Sequence, residues 1–523
     1  MIDVVVIGAG AGGLAASWAL AKRGAKVLCV EQGKDLLSSQ MISISRGGEY
    51  QKFSDLSSSP SVRQDLFSYP IDCSSSPINI QNYCGVGGST LLFSAQYPRM
   101  HVSDFTQQSS TSNTRSWPIS LVDLEPYYKL NERMVGVSGL AGDPNNPRVC
   151  LANPPVPLGK MGRKLVQGFQ DLGWGWWPAY AALQVKPGTT ISDSIFDRPT
   201  NIDFKPHKGS ARSAYYSKCL KLGVKFMLQA SVTEIKFDRF RDKVSGVYIK
   251  NLHGIEDFVP ARFVVLAAGG IGSPRVLLNS VSTFWPKGIG NSYDLVGTGL
   301  MLHPWGYAEG LFGEDLESSR GPQGCCMMSQ HFYKYNPNAK ICGGFTMQII
   351  RGPLPYESSK LWLKRKKLSL DSTTFSKFKN LHNHTAHISV IVDDPPERSN
   401  YVKLDLSTRD NYGVPGVIIN YKISDISLLK LCSGLNAAKE ILQRSGSLKT
   451  WSYGPVRNTG WHTLGTCCMG LKEENSVVDK SGRVHGTENL FVADASVFSR
   501  GGSVNPANTI QAIGLMVADR IPL

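Results

Sequence analysis

The chain has 523 residues, of which 41% are hydrophobic and 19% charged, with a formal net charge of +15. A chain this long buries a large core and exceeds the size of one average domain, and its ordinary composition excludes general disorder. It contains no run of eighteen apolar residues, which excludes a spanning helix, and its 11 cysteines form no C-x-x-C pair, which argues for free thiols over a zinc, iron-sulfur or disulfide framework.

The first thirty residues set the frame. Ile2 to Ile7 is a short, mostly β-branched run, and Gly8, Gly10 and Gly13 follow in the spacing G-x-G-x-x-G. Leu14, Ala15, Trp18, Ala19 and Ala21 then recur with helical period, Gly24 ends the helix, and Lys26 to Val30 reads as a second strand. The three glycines serve different purposes. Gly8 permits the sharp turn, Gly10 lets backbone approach a pyrophosphate, and Gly13 lets the helix settle on the sheet. The N–H groups at the helix start face the anion. Glu31, eighteen residues beyond Gly13, can accept both hydroxyls of a ribose. The unit predicts a dinucleotide site and does not separate FAD from NAD.

Ser38 to Ser76 is polar and aperiodic, as expected of a loop or covering lid. Gly85 to Thr90 is a glycine turn entering the apolar Leu91-Leu92-Phe93, suited either to a second close backbone approach or to a plain loop. Ser120 to Tyr128 opens a capped helix. Five prolines between Asp143 and Pro157 mark a crossing between domains. Helical spacing returns over Met161 to Leu172 and Ala211 to Leu220, and Pro187 to Lys208 is irregular. Strands follow at Lys225 to Leu228, Val232 to Phe237, Val244 to Ile249 and Arg262 to Ala267, the middle two as a hairpin. Ala268 to Pro274 is a second strand-glycine-helix junction, read as the chain's return to the nucleotide-binding sheet, with Leu277 and Leu278 facing inward.

From Met301 to Trp451 strand-like runs dominate, at Lys340 to Ile350, Ala386 to Val392, Tyr401 to Leu406 and Val417 to Tyr421, which predicts a separate antiparallel sheet shaping a substrate pocket. Helices are expected over Leu428 to Arg444 and Thr509 to Arg520. His382, His384 and His387 lie close together without a carboxylate or cysteine to complete a ligand set, so no metal site is predicted. Cys325 with Cys326 and Cys467 with Cys468 read as core packing. The dense basic run Lys360 to Lys367 fits a solvated loop, with a membrane or polyanion contact as the alternative. No charged leader or apolar signal core precedes the first strand, which predicts a cytoplasmic protein, and the spread of basic residues does not call for nucleic acid.

Asn458 to Ala518 carries Trp461-His462-Thr463-Leu464-Gly465-Thr466, Glu488 to Ser496, and Asn505-Pro506-Ala507-Asn508-Thr509. Read alone, His462 is a core histidine or a base, and Asn505-Pro506 is a helix cap with Pro506 at the first helical position. Together with the N-terminal fingerprint and Glu31, the Gly87-Gly88-Ser89 turn, Ala267 to Pro274 and His303-Pro304, in this order, the run resembles the glucose-methanol-choline (GMC) oxidoreductase family.

That resemblance implies an α/β protein: a Rossmann-like FAD-binding domain with a discontinuous substrate domain built on an antiparallel sheet. Its pieces fall at 1–150, 209–300 and 453–523 for FAD, and at 151–208 (with the connection) and 301–452 for substrate. It implies alcohol oxidation, with the catalytic pair on His462 and Asn505. A neutral histidine takes the hydroxyl proton while an asparagine donates to the developing alkoxide, and hydride passes to flavin N5. It places FAD against Gly8, Gly10, Ala11, Gly13, Glu31, Gln32, Gly87, Gly88, Ser89, Val232, Ala268, Asp494, Asn505 and Pro506. Thr90 to Met100 holds no histidine for a covalent tether, so noncovalent FAD is expected, with His101 the nearest candidate otherwise. The substrate expected is a sugar, polyol or other small polar alcohol, and the electron acceptor oxygen, a quinone or a carrier protein. Rival readings are a lyase or light-driven reaction on the same fold, a flavin-binding protein without catalysis, and a pyridine-nucleotide dehydrogenase.

Overall fold

A computed structural model describes residues 2–35, 68–106, 115–145, 149, 151, 153–188, 208–238, 243–322, 326–352 and 382–523. Most of the serine-rich 38–76 stretch, most of 187–208 and the whole basic run 360–367 lie outside the described residues.

The first strand, β1 (Ile2–Ile7), is fully buried from Val4 to Val6, as a strand covered on both faces must be. It pairs in parallel with β2 (Val27–Glu31) on one side and with β8 (Glu256–Leu266) on the other. The sheet extends through β5 (Lys225–Leu228), parallel to β2, and β16 (Leu490–Val492), parallel to β8. It ends in the antiparallel pair β6 (Ala230–Asp238) and β7 (Lys243–Asn251), the predicted hairpin. β8 serves both halves: Glu256 to Pro260 pair with β7, and Ala261 to Leu266 pair with β1. The chain thus returns to the first sheet at the predicted place, and Leu277 on the helix that follows is fully buried while Leu278 is half-buried.

Between β1 and β2, helix α1 (Ala11–Lys22) packs on the sheet through a close backbone contact. A Cβ on Gly13 would stand 1.9 Å from the Gly8 carbonyl oxygen and 3.2 Å from Ala267 Cβ. Gly8 itself has φ +102°, in the left-handed region that only glycine enters without strain. Helix α2 (Leu121–Val135) starts on a reciprocal cap in which Asp123 N–H donates to Ser120 Oγ and Ser120 N–H donates to Asp123 Oδ2, and it ends on Gly136 at φ +76°.

The second sheet is antiparallel throughout, in the order β15 (Lys449–Tyr453), β9 (Trp305–Leu311), β12 (Thr385–Val392), β11 (Phe345–Ile350), β10 (Met327–Ser329), β4 (Trp177–Pro178). Of the four runs expected here only two belong to it. Tyr401 to Leu406 and Val417 to Tyr421 fall on β13 (Tyr401–Arg409) and β14 (Pro415–Asn420), which pair with each other and with β3 (Ile71–Asp72) in a third, small sheet. Their separation has a physical origin: Ile419, Val417 and Val402 bury against Ile78, Ile80, Leu300 and Leu302 in a second hydrophobic core distinct from the main one.

Helix α3 (Gly159–Asp171), helix α4 (Gly269–Asn279), helix α5 (Asp425–Arg444) and helix α6 (Ala507–Arg520) complete the frame. No helix among the described residues is long and apolar enough to cross a membrane. Replacing Gly13 with alanine forces a Cβ into the Gly8 carbonyl, so Gly13→Ala should lower the chemical-denaturation midpoint by an amount equivalent to about 1–3 kcal/mol; an unchanged midpoint would mean that α1 can back away from the sheet.

Candidate active site

Parallel pairing brings the C-terminal ends of β1, β2 and β8 to one edge of the sheet, and a cavity of about 560 Å³ opens there. The fingerprint turn lines it with Gly8, Gly10, Ala11 and Gly12, and Glu31 and Gln32 line it from the end of β2. Val232 contributes from β6 and Ala268 from the turn after β8. Gly13 does not line the cavity, consistent with its place in the helix–sheet contact.

The second glycine turn lies directly over the first. Gly87 N–H donates to the Ala9 carbonyl at 2.8 Å, and a Cβ on Gly88 would stand 2.9 Å from Gly10 Cα. Gly88 and Ser89 line the cavity from a short 3-10 turn, Gly88–Leu91, while Gly87 is set back behind them.

Two buried carboxylates hold the turns in shape. Glu31 accepts from Ala9 N–H at 2.7 Å and from Gly33 N–H at 2.9 Å. Asp494, placed by β16, accepts from Gly269 N–H at 2.9 Å, from Ser273 Oγ at 2.5 Å, and from Ser496 through its N–H at 2.8 Å and its Oγ at 2.6 Å. Burial raises the proton affinity of both carboxyls, and these donors oppose it.

His462 and Asn505 line the same cavity. The stretch before β9 pairs with the chain near His462 through two backbone hydrogen bonds between Met301 and Leu464, each 3.1 Å. Two residues further along, the antiparallel register sets His303 opposite His462, and their Nδ1 atoms lie 3.1 Å apart. Trp305 packs edge-on to the His462 ring at 5.5 Å between centroids. Burial holds His462 well below the ordinary histidine value, and the neighbouring His303 acts in the same direction.

Asn505 departs from the sequence reading. Its side chain does not cap α6, whose N-cap is Pro506; its Oδ1 instead accepts from Gln348 Nε2 on β11 at 2.6 Å. No side chain among the described residues caps the first N–H groups of α6. With that bond made, Asn505 Nδ2 and His462 Nε2 are the atoms left without a hydrogen-bond partner among the described residues, and protein does not enclose either one.

Other expected features resolve simply. His101 is buried, stacks on Tyr333 at 3.7 Å and does not line the cavity. His384 Nδ1 pairs with the Phe312 carbonyl and His387 Nε2 with Thr385 Oγ1, and no group of three or more His, Cys, Asp or Glu among the described residues is arranged to hold a metal ion. Cys326, Cys467 and Cys468 are buried and free.

Comparison with known proteins decides the family. The pattern described as GMC oxidoreductase matches the chain twice, over residues 73–305 and over 396–514, and a NAD(P)-binding Rossmann-like domain matches residues 6–54. A 2-methyl-1,2-propanediol dehydrogenase from Mycolicibacterium austroafricanum is 31% identical over 99% of this chain and 95% of its own length. The chain belongs to the GMC oxidoreductase family. A 6'''-hydroxyparomomycin C oxidase from Streptomyces lividus is 27% identical over 99% of this GMC chain and 91% of its own. Among solved structures, pyridoxine 4-oxidase from Mesorbium loti superposes with a TM-score of 0.65 over 99% of both chains at 16% identity, a likeness of fold.

Sequence reasoning missed the partners of the pair. His303 stood only as half of a His-Pro motif, and Gln348 was one residue of a strand. The signal for Gln348 was present: a glutamine inside the apolar run Phe345–Ile350 has to be satisfied by something buried. Nothing in the sequence points to the register that pairs His303 with His462.

Buried neutral histidines give this GMC protein an acid-sensitive fold. Burial lowers His303 and His101 from the ordinary 6.5 to about 4. Between those values the unfolded chain binds more protons than the folded one, so stability is complete above about pH 6.5 and falls as the pH drops toward about 4. The urea midpoint should therefore decline from about pH 7 to about pH 5 and decline less in His101→Asn; equal declines would remove His101 as a contributor.

Proposed function

We propose that the chain is an FAD-dependent oxidoreductase that converts an alcohol to the carbonyl. One observation carries the reading: His462 Nε2 and Asn505 Nδ2, brought from stretches forty-three residues apart, open without partners among the described residues on the cavity that the dinucleotide fingerprint lines.

The residues present fit the cofactor. Gly10 faces open space where a Cβ would meet no protein atom within 4 Å, and the first N–H groups of α1 are left without intrahelical partners by helix geometry. Glu31, which lines the cavity at the end of β2, suits a ribose, and Val232 suits the backbone side of an adenine. Bound FAD supplies the hydride acceptor. The remaining work belongs to side chains. His462, kept neutral by burial, takes the hydroxyl proton at Nε2, and Asn505 Nδ2 donates to the alcohol oxygen as negative charge grows there.

A small polar alcohol, whether a sugar, polyol or diol, is the substrate class we infer; the diol dehydrogenase with 31% identity supports it. Noncovalent attachment is the reading for FAD, because His462 is the one histidine among the described residues that line the cavity.

Purified protein should show the visible absorption of oxidised flavin, bleach when an alcohol is added without oxygen, and release its flavin to the supernatant on acid precipitation. A colourless protein sinks the cofactor assignment, and a yellow pellet sinks noncovalent binding. His462→Ala should retain the flavin and lose about 10²–10⁴-fold in kcat/KM. Gly10→Val, which projects a side chain into the cavity, should purify folded with less than about a tenth of the wild-type flavin; full occupancy would place the cofactor elsewhere.

A further inference from the structure

The hydrogen bond between two Nδ1 atoms carries information about protons. Nitrogens 3.1 Å apart share one hydrogen, so either His303 donates to His462 or His462 donates to His303. The first arrangement makes His462 Nε2 an N–H, and beside the amide of Asn505 the cavity would then present two donors and no base. The second makes Nε2 a bare lone pair.

We propose that His303 is a positioning residue for the oxidation assigned above: its Nδ1 accepts the His462 Nδ1–H, which leaves His462 Nε2 as the acceptor facing the cavity. The proposal rests on the alcohol-oxidation reading for its purpose, and on the ring geometry for its substance.

His303 is built to stay in place. It is fully buried, its backbone sits at φ +49°, a conformation a non-glycine residue adopts at a cost, and its far edge abuts Gly501, where a Cβ would stand 2.4 Å from His303 Nε2. Accepting at Nδ1 requires a hydrogen on Nε2, which has no partner among the described residues. The negative charge of Asp393 favours proton on His303 and the positive charge of Lys430 opposes it; the carboxylate is itself kept ionised by Lys430 Nζ at 3.2 Å and Arg500 Nη2 at 3.9 Å. Burial still holds His303 neutral near pH 7. When His462 takes up a proton at Nε2, the Nδ1–H of the resulting imidazolium therefore points at a neutral acceptor, not at a second positive charge.

Two variants separate the hydrogen bond from simple packing. His303→Asn sets a short amide near the position of Nδ1 and keeps an acceptor; His303→Leu removes it. In His303→Leu kcat should fall about 10–100-fold, with KM changed much less, and His303→Asn should recover most of the loss. Gly501→Ala, which crowds the ring without removing a functional group, should lower kcat in the same direction.

The deciding measurement needs no turnover: nitrogen NMR of the flavin-loaded protein labelled with ¹⁵N-histidine, with the His462 signals assigned by their loss in His462→Gln. A protonated Nδ1 and an unprotonated Nε2 on His462 are expected. A protonated Nε2, or His303→Leu turning over at the wild-type rate, overturns the proposal. Should no alcohol bleach the flavin, the oxidation reading fails separately, while the NMR result still decides which histidine donates. Should His303→Leu fail to fold, the wild-type spectrum decides alone.

Discussion

The structure depends on the parallel pairing of β1 with β8, Ile7 opposite Leu266. Parallel strands end at the same edge, so two strand-to-helix turns, one after residue 7 and one after residue 266, come to lie side by side although about half the chain separates them. β16 adds itself to β8 in the same direction, Val492 opposite Leu266, and delivers Asp494 to that edge. There its carboxylate bonds the N–H of Gly269 and the hydroxyl of Ser273 on α4. Three distant segments are thereby fixed around one cavity by register alone, and contacts as close as that of Gly13 with Gly8 leave the register little freedom.

The antiparallel sheet supplies what the first sheet lacks. Strand ends and glycine turns give backbone dipoles, but a proton acceptor needs a side chain in a defined tautomer. His303 leads into β9, Gln348 stands on β11, and Asp393 follows β12. His303 and Gln348 are buried and bind the inner atoms of His462 and Asn505, and Asp393 is partly buried. The outer atoms then have no choice of orientation, because a buried ring or amide that turned would break its inner bond and leave a polar group unpaired.

Legibility followed from locality. β1, the glycine turn, α1 and β2 are contiguous, and period and glycine spacing were enough to read them. The capped start of α2 was legible for the same reason. β9 was not: Trp305–Leu311 includes Gly306, Glu309 and Gly310, weak strand formers, and it is a strand because β12 and β15 flank it on both sides. The two runs Tyr401 to Leu406 and Val417 to Tyr421 were recognised as strands and given to the wrong sheet, since period identifies a strand and says nothing of its neighbours. In the site the division is similar. His462, Asn505 and the glycines were carried by motif, whereas the bonds that orient the pair join residues 159 and 157 positions apart and follow from tertiary register.

The cavity is lined by few cationic groups. Among the described residues lining it the one arginine, Arg275, is committed elsewhere: its guanidinium donates to Asp410 Oδ2 at 2.7 Å and to the carbonyls of Pro415 and Val414. No lysine among the described residues lines it, in a chain whose net charge is +15. An anion bound here is therefore held by backbone N–H groups and the N-terminal end of α1, fixed dipoles that neither titrate nor search for rotamers. Glu31 and Asp494 fit the same logic. Glu31 accepts from backbone N–H groups and Asp494 from backbone and hydroxyl donors, which ties the turns to one another. The wall of the cavity at this edge is backbone, and the glycines that permit its geometry were the first feature visible in the sequence.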